Sequence, residues 1–301
     1  MTSIRFHPRF ALRRTVRFAL GPQPSRVAFA GARHNPYAGW PSMAGLGVYS
    51  EIDVEVTGQP DRVTGYLIDI ADVDRAVRDS VLPWLHELFL SQFAAHTAAA
   101  SASSSNHAPL DVAATMPAMT ARIASALPLA AGSALRAVTW RLTPTLSYSC
   151  EMFMPVTIGL AESGESGAVE LRQRFEFSAS HRLHCNELDD ANNIRIFGKC
   201  NNPSGHGHNY RLEAAVIVPL TGATFSHADL ERIVDTTVIA RFDHKHLNTD
   251  VAEFASLNPS VEHITKVAHD LLQPVIAAAG ATLRSVTVWE TEKTCCTYPV
   301  R

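Results

Sequence analysis

The chain contains no apolar run approaching the roughly 20 residues that a bilayer-spanning helix needs, so no helical membrane segment is expected. No stripe of lysine and arginine interleaves with aromatics, and the net charge is only −3, so nucleic acid is not an expected partner. Cysteine is sparse and irregular: Cys150, Cys185, Cys200, Cys295 and Cys296 are odd in number and two are adjacent. Such a set makes no disulfide framework and suits a reducing compartment, from which a cytoplasmic location is expected. Acidic residues are missing before Glu51, whereas Arg5, Arg9, Arg13, Arg14, Arg17, Arg26 and Arg33 precede it. That composition resembles an organellar transit peptide, but RRTVRFAL alternates as a strand does and makes no clean amphipathic helix. What is present, 46% hydrophobic and 18% charged over 301 residues, describes a globular protein long enough for two cores.

Taken in order, Arg26 to Phe29 and Val48 to Val56 alternate apolar and polar residues, the pattern of half-buried strands. Gly58 to Gly65 supplies a turn, and Tyr66 to Ile70 resumes the strand pattern. Val73, Val77, Val81 and Leu85 recur at helical spacing behind Asp72, which is placed as an N-cap. Ala94 to Pro109 is small, polar and of low complexity, the composition of a surface loop. A helix over Met116 to Leu127 and strands over Ala137 to Leu142 and Leu146 to Met154 complete the first half.

The second half repeats this order. Strands are expected over Val169 to Ser178 and Asn209 to Val218, then a helix from Asp229 with Leu230, Ile233, Val234 and Val238 on one face. A second helix runs from a Ser260 cap, with Glu262 in its first turn, to Gly280. Strands over Ser285 to Glu290 and Cys295 to Val300 finish the chain. VTGYLIDIADVDRAV aligns with LTGATFSHADLERIV, and AVTWRLT with SVTVWET, which predicts an internal duplication split near Glu165 in the AESGESG linker. The expected domains are 1–164 and 165–301, in an α+β fold.

The chemistry concentrates in FSASHRLHCNELDDANNIRIFGKCNNPSGHGHNY, Phe177 to Tyr210. On a strand, His206 and His208 share a face, and His181 from the preceding strand can supply a third imidazole. Three neutral imidazoles with one open position are the usual sphere of a catalytic zinc, whereas structural zinc sites are closed and rich in thiolates. An isolated H-x-H is more often a polar turn; the third histidine, the glycines and a cysteine beside a cation favour the metal reading here. Lys199 next to Cys200 makes a reactive thiol the expectation there, in place of the small buried hydrophobe that Cys185, Cys295 and Cys296 are expected to be. Asp243 beside His244 reads either as a relay or as a helix-end cap. His184, three residues from His181, faces away from the metal on a regular strand, and Glu292 reads as a solvated strand residue.

FSASHRL, FGKCNNPSGHGHNY, FDHKHLN and VWETE, in this order, resemble the 6-pyruvoyltetrahydropterin synthase family over about Glu170 to Arg301. The resemblance implies the tunnelling fold, here two tandem units of order ββααββ, each a four-stranded antiparallel sheet with two helices on one face, closing into a barrel as a homo-oligomer. It implies a lyase that converts 7,8-dihydroneopterin triphosphate to 6-pyruvoyltetrahydropterin with elimination of triphosphate. By motif position, His181, His206 and His208 would hold Zn2+. Cys200 would be the general base, Asp243 and His244 the proton relay, and Glu290 the anchor of the pterin ring. The longer Cys200 to His206 spacing, NNPSG, resembles these synthases more than the 6-carboxytetrahydropterin synthases of queuosine synthesis, which act on the same substrate. A non-catalytic pterin- or zinc-binding module is the other alternative, against which a retained general base argues.

The chain departs from the family pattern in a short VIVPLTG turn, in FSHADL, and throughout its first half. There Leu46 and Val48 stand where His206 and His208 do, Leu142 stands at Glu290, and His86 and Glu87 stand at Asp243 and His244. The first half is therefore expected to be a degenerate copy without the metal site, with His86 as its candidate for a pocket wall.

Overall fold

The computed structural model describes residues 9–21, 48–100, 110–152, 167–221 and 225–300. The expected strand at Arg26 to Phe29, the position Leu46 and the linker around Glu165 lie outside these residues. The chain divides into two compact units, Met1–Val169 and Glu170–Arg301. No helix among the described residues is long and apolar enough to cross a membrane.

The first unit holds strands β1 (Phe10–Leu20) and β2 (Val48–Gly58), helices α1 (Ile70–Ser80), α2 (Leu82–Ala100) and α3 (Val112–Ala126), and strands β3 (Ala134–Thr143) and β4 (Leu146–Glu151). The strands pair antiparallel in the order β1-β2-β3-β4. Val16, Phe18, Ile52, Val54 and Val138 meet the helical Val73, Val77, Met116, Met119 and Ile123 in its core, all essentially inaccessible to water.

Several expectations are corrected here. Tyr66 to Ile70 is not a strand: it leaves a turn at residues 62–64, where the Asp61 carboxylate accepts from the amides of Val63 and Thr64, and runs without strand pairing into α1. Ile70 already begins α1, and its N-cap is Asp69, which accepts from the Ala71 amide, so Asp72 lies inside the first turn. The alanines placed in a loop from Ala94 extend α2 through Ala100, as the strongest helix former should. Three helices, not two, therefore separate the strand pairs.

The second unit begins with β5 (Ala168–His181), followed by α4 (Asp190–Phe197), β6 (His206–Pro219), α5 (His227–Val234), a π-helical turn (Asp235–Ile239) and a short α6 (Ala240–Phe242). Then come β7 (Lys245–His246), α7 (Leu247–Asp250), α8 (Val261–Ala278), β8 (Thr282–Thr291) and β9 (Thr294–Tyr298). The sheet order is β5-β6-β8-β9, with β6, β8 and β9 antiparallel. The two-residue β7 adds a parallel pairing to β5, Lys245 to Ala179 and His246 to Ser180, which a purely antiparallel sheet does not include.

Helix α5 starts at His227 rather than Asp229, because Ser226 and Asp229 form a reciprocal capping box. Ser260 caps α8 as expected, and Gly280 follows it with φ 88°, the left-handed conformation that ends helices. Helix α8 packs on β8 and β9 and buries Ile264, Ala268, Leu272 and Ile276. Helix α4 is an addition, capped by Asp189 accepting from the Asn192 amide at 2.7 Å.

Candidate metal centre

Three strands of the second unit carry an apolar face outward until it turns polar. On β5 the buried face runs Phe177, Ala179, His181; on β6 it runs Leu212, Tyr210, His208, His206; on β8 it runs Val286, Val288, Glu290. Because β6 and β8 are antiparallel, with Arg211 opposite Trp289, the start of one and the end of the other share a sheet end. The strand period therefore delivers three imidazoles and a carboxylate to one place.

His181 is fully buried. Its Nδ1 lies 2.7 Å from the Pro259 carbonyl oxygen. A carbonyl can only accept, so Nδ1 carries the hydrogen and Nε2 presents a lone pair. That Nε2 is 3.1 Å from His206 Nε2, and one ligand atom from each of His181, His206 and His208 lies within 4.8 Å of the others. Burial pushes His181 down to about 4, against the raising effect of the Pro259 hydrogen bond and with help from His206 and His208. His206 is lowered for the same reasons, burial first and then His208.

The nitrogens of His181 and His206, both held toward the neutral form, thus converge with that of His208. A tetrahedral ion with bonds of about 2.0–2.1 Å holds its nitrogen ligands roughly 3.3 Å apart, so the spacing and the donor set fit a metal ion. Among the described residues this is the one such cluster of three or more groups.

Tyr210 forms the floor. It stacks on Phe177 at 4.9 Å, and its hydroxyl lies 3.4 Å from either ring nitrogen of His181. Burial, then Glu290 and Cys200, push its pKa upward, so it remains a protonated phenol. Glu290 Oε1 faces the cluster, 3.5 Å from His181 Nε2 and 3.8 Å from His208 Nε2.

Cys200 sits half-buried in a 3-10 turn, Gly198–Asn201, directly after α4. Its carbonyl accepts from the Leu183 amide at 2.9 Å, which ties this turn to the chain leaving His181. His184 turns to Asn201, with Nδ1 3.0 Å from its side-chain oxygen.

Asp243 ends α6 and accepts the Ser178 amide at 2.8 Å through Oδ1, while Oδ2 lies 2.8 Å from His244 Nδ1. The Ser178 amide first, and His244 second, hold its carboxyl below the usual range. His244 has φ 56°, a strained conformation for a residue with a side chain, and its amide donates to Ser178 oxygen at 2.6 Å. An open pocket of about 410 Å³ brings His244 and His246 together with His208, Ser178 and Ser180. Cys200, His181, His206 and Glu290 do not line it.

Two expectations about neighbouring residues come out differently. Cys295 is exposed, and Cys185 and Cys296 are half-buried, so none is a buried hydrophobe; Cys295 and Cys296 lie on β9, which ends the sheet order among the described residues. Glu292 is solvated, 89% exposed, with Arg211 3.8 Å away. Pro259 joins the site without any motif of its own, and Tyr210 and His246 join it from within GHGHNY and FDHKHLN, where neither carries an expected role. Tyr210 has a further signal in the continued strand period His206, His208, Tyr210.

Fold and site together define the class: an α+β protein whose sheet ends in a three-imidazole centre able to hold a metal ion. The family model for 6-pyruvoyl tetrahydropterin synthase matches residues 170–300, the extent of the second unit. A human 6-pyruvoyl tetrahydrobiopterin synthase is 38% identical over 138 residues, 45% of this chain and 94% of the human protein. A Dictyostelium discoideum protein of the same name is 33% identical over 136 residues, 44% of this chain and 97% of its own. The solved Caenorhabditis elegans 6-pyruvoyl tetrahydropterin synthase is 31% identical, with a TM-score of 0.42, over 46% of this chain and all of that one. The chain belongs to the 6-pyruvoyl tetrahydropterin synthase family.

Proposed function

We propose that the chain is a zinc-dependent lyase that converts 7,8-dihydroneopterin triphosphate to 6-pyruvoyltetrahydropterin and triphosphate. The observation that carries this reading is the convergence of one ligand atom each from His181, His206 and His208, with His181 fixed by Pro259 and held neutral by burial. These three residues would hold Zn2+, which when bound supplies a Lewis acid for the hydroxyls of the substrate side chain.

Glu290, its carboxylate directed at the cluster, accepts the paired N–H donors of the pterin edge and orients the ring. Cys200 removes a carbon-bound proton from the side chain. Asp243 holds the His244 ring through Nδ1, leaving the opposite nitrogen to pass protons. The side chain rearranges to carbonyls, the C–O bond to triphosphate breaks, and the ring C=N takes up what the side chain loses. The redox change is internal, so no separate electron acceptor is consumed.

Residues 1–164 are, on this reading, a degenerate tunnelling-fold copy that supplies strands and subunit contacts in a homo-oligomeric barrel. Its antiparallel β1-β2-β3-β4 order around helices supports this, as does Leu142 at the position of Glu290. The test is turnover by zinc-loaded wild type and Cys200→Ala. A fall in kcat of roughly 10²–10⁴-fold with zinc retained is expected; a variant as active as wild type removes Cys200 from the mechanism.

A further inference from the structure

His246 is a fourth histidine at this end of the sheet, and it lies outside the three-residue cluster. It belongs to β7, where it pairs in parallel register with Ser180, the residue before His181. Its own amide is fixed by Asp250 Oδ2 at 2.9 Å. Backbone pairing on one side and a carboxylate on the other leave its position little freedom.

Its ring stands over Gly205, the residue immediately before His206. A Cβ built on Gly205 would lie 2.8 Å from His246 Nε2, 3.0 Å from the His181 carbonyl oxygen and 3.4 Å from the His181 carbonyl carbon. The space a side chain on Gly205 would take is therefore filled by the His246 imidazole and the His181 backbone, and the residue has φ 70°. The turn that sets where His206 points is gripped by the backbone of one cluster histidine and by the ring of a residue outside the cluster.

The other ring nitrogen, Nδ1, is buried and has no hydrogen-bond partner among the described residues. An unsatisfied buried nitrogen opposes folding, so the ring earns its place at Gly205 by shape rather than by a polar bond. We propose that His246 is a positioning residue for the metal centre: its ring braces the Gly205 turn and so holds His206 at the spacing from His181 that a metal ion requires. This rests on the zinc-centre reading given above.

The test uses the full chain as wild type, His246→Ala and His246→Phe. Zinc affinity is measured by competition with a chromophoric chelator, the cobalt(II) absorption spectrum reports ligand geometry, and thermal melts of the metal-free proteins report folding. Removing a group that orients a metal ligand typically weakens metal binding about 10–100-fold, and His246→Ala should lose zinc affinity in that range and shift its cobalt bands. His246→Phe keeps the ring and forfeits no hydrogen bond, so it should stay within about threefold of wild type, as volume-conserving replacements do. Wild-type zinc affinity and cobalt spectrum in His246→Ala overturn the proposal. So does an equal loss in His246→Phe, which would make the nitrogen and not the shape decisive, and so does unfolding of metal-free His246→Ala. If wild type itself takes up no zinc, the zinc-centre reading falls, and this proposal with it; one zinc in wild type and no difference among the variants overturns the role of His246 alone.

Discussion

The imidazole of His181 donates through Nδ1 to the carbonyl oxygen of Pro259 at 2.7 Å, across 78 residues of sequence. That bond fixes both the tautomer and the direction of Nε2, and it does so in a fully buried setting. It also makes a prediction about acid. An unfolded histidine titrates near 6.5, and folded His181 near 4, so below 6.5 the unfolded chain binds the proton that the folded chain refuses. Stability of the metal-free protein should be fully present above pH 6.5 and decline as pH falls toward 4, by about 3 kcal/mol. Urea melts of metal-free wild type from pH 7.5 to 4 measure this, and His181→Asn should flatten that part of the profile.

Gly205→Ala should be damaging well beyond the loss of flexibility. Its Cβ meets His246 Nε2 at 2.8 Å and the His181 carbonyl oxygen at 3.0 Å, and φ 70° disfavours any side chain. A loss of about 1–3 kcal/mol in stability is expected, together with weaker zinc binding, read by denaturant melts and chelator competition. Alanine at Gly132, which also has positive φ but nothing within 4 Å, should show the backbone penalty alone and keep wild-type zinc affinity.

Asp243→Asn replaces a carboxylate that accepts the Ser178 amide and holds His244 Nδ1. An amide can still accept from Ser178, so the fold should persist. Its hold on His244 is weaker and no longer charged, and kcat should fall by at least about tenfold with KM nearly unchanged. Steady-state kinetics with zinc-saturated protein give the answer; a change confined to KM would place Asp243 in binding instead.

The legible part of this site is the part built by the strand period. His206 and His208 fall on one face of β6 because alternate residues must, and His181 ends the preceding strand, β5, as expected. The contacts that set their geometry are long-range: Pro259 precedes α8, and His246 reaches Gly205 from β7. Nothing local marks Pro259, and the FDHKHLN motif that contains His246 gives no hint of its contact with Gly205. In the fold, the expected cap of α1 is Asp72, whereas the residue whose side chain accepts from the Ala71 amide is Asp69, three positions earlier. Helix α4 was invisible for a different reason: DANNIRIF is rich in asparagine and isoleucine, modest helix formers, and Ile194 and Ile196 are exposed rather than on an apolar stripe.

In the first unit, Asp53 is 4% exposed and accepts from Thr15 Oγ1 at 2.6 Å and from Arg141 Nη2 at 2.5 Å. Asp53→Ala strands those donors and should destabilise the chain by about 3 kcal/mol. If the first repeat is structural, zinc stoichiometry at 25 °C should not change. Melting curves and metal analysis on the same sample test both halves of that statement; loss of zinc without loss of stability would contradict the division of labour.

The most direct measurement is mass-spectrometric identification of what zinc-loaded, full-length protein makes from 7,8-dihydroneopterin triphosphate, with metal analysis on the same preparation. The expected result is one zinc per chain, 6-pyruvoyltetrahydropterin and an equal amount of inorganic triphosphate. Unchanged substrate at full zinc occupancy would make the centre a binding site, and a product shortened by two carbons would assign the chain to the carboxylate-forming branch; either contradicts the account.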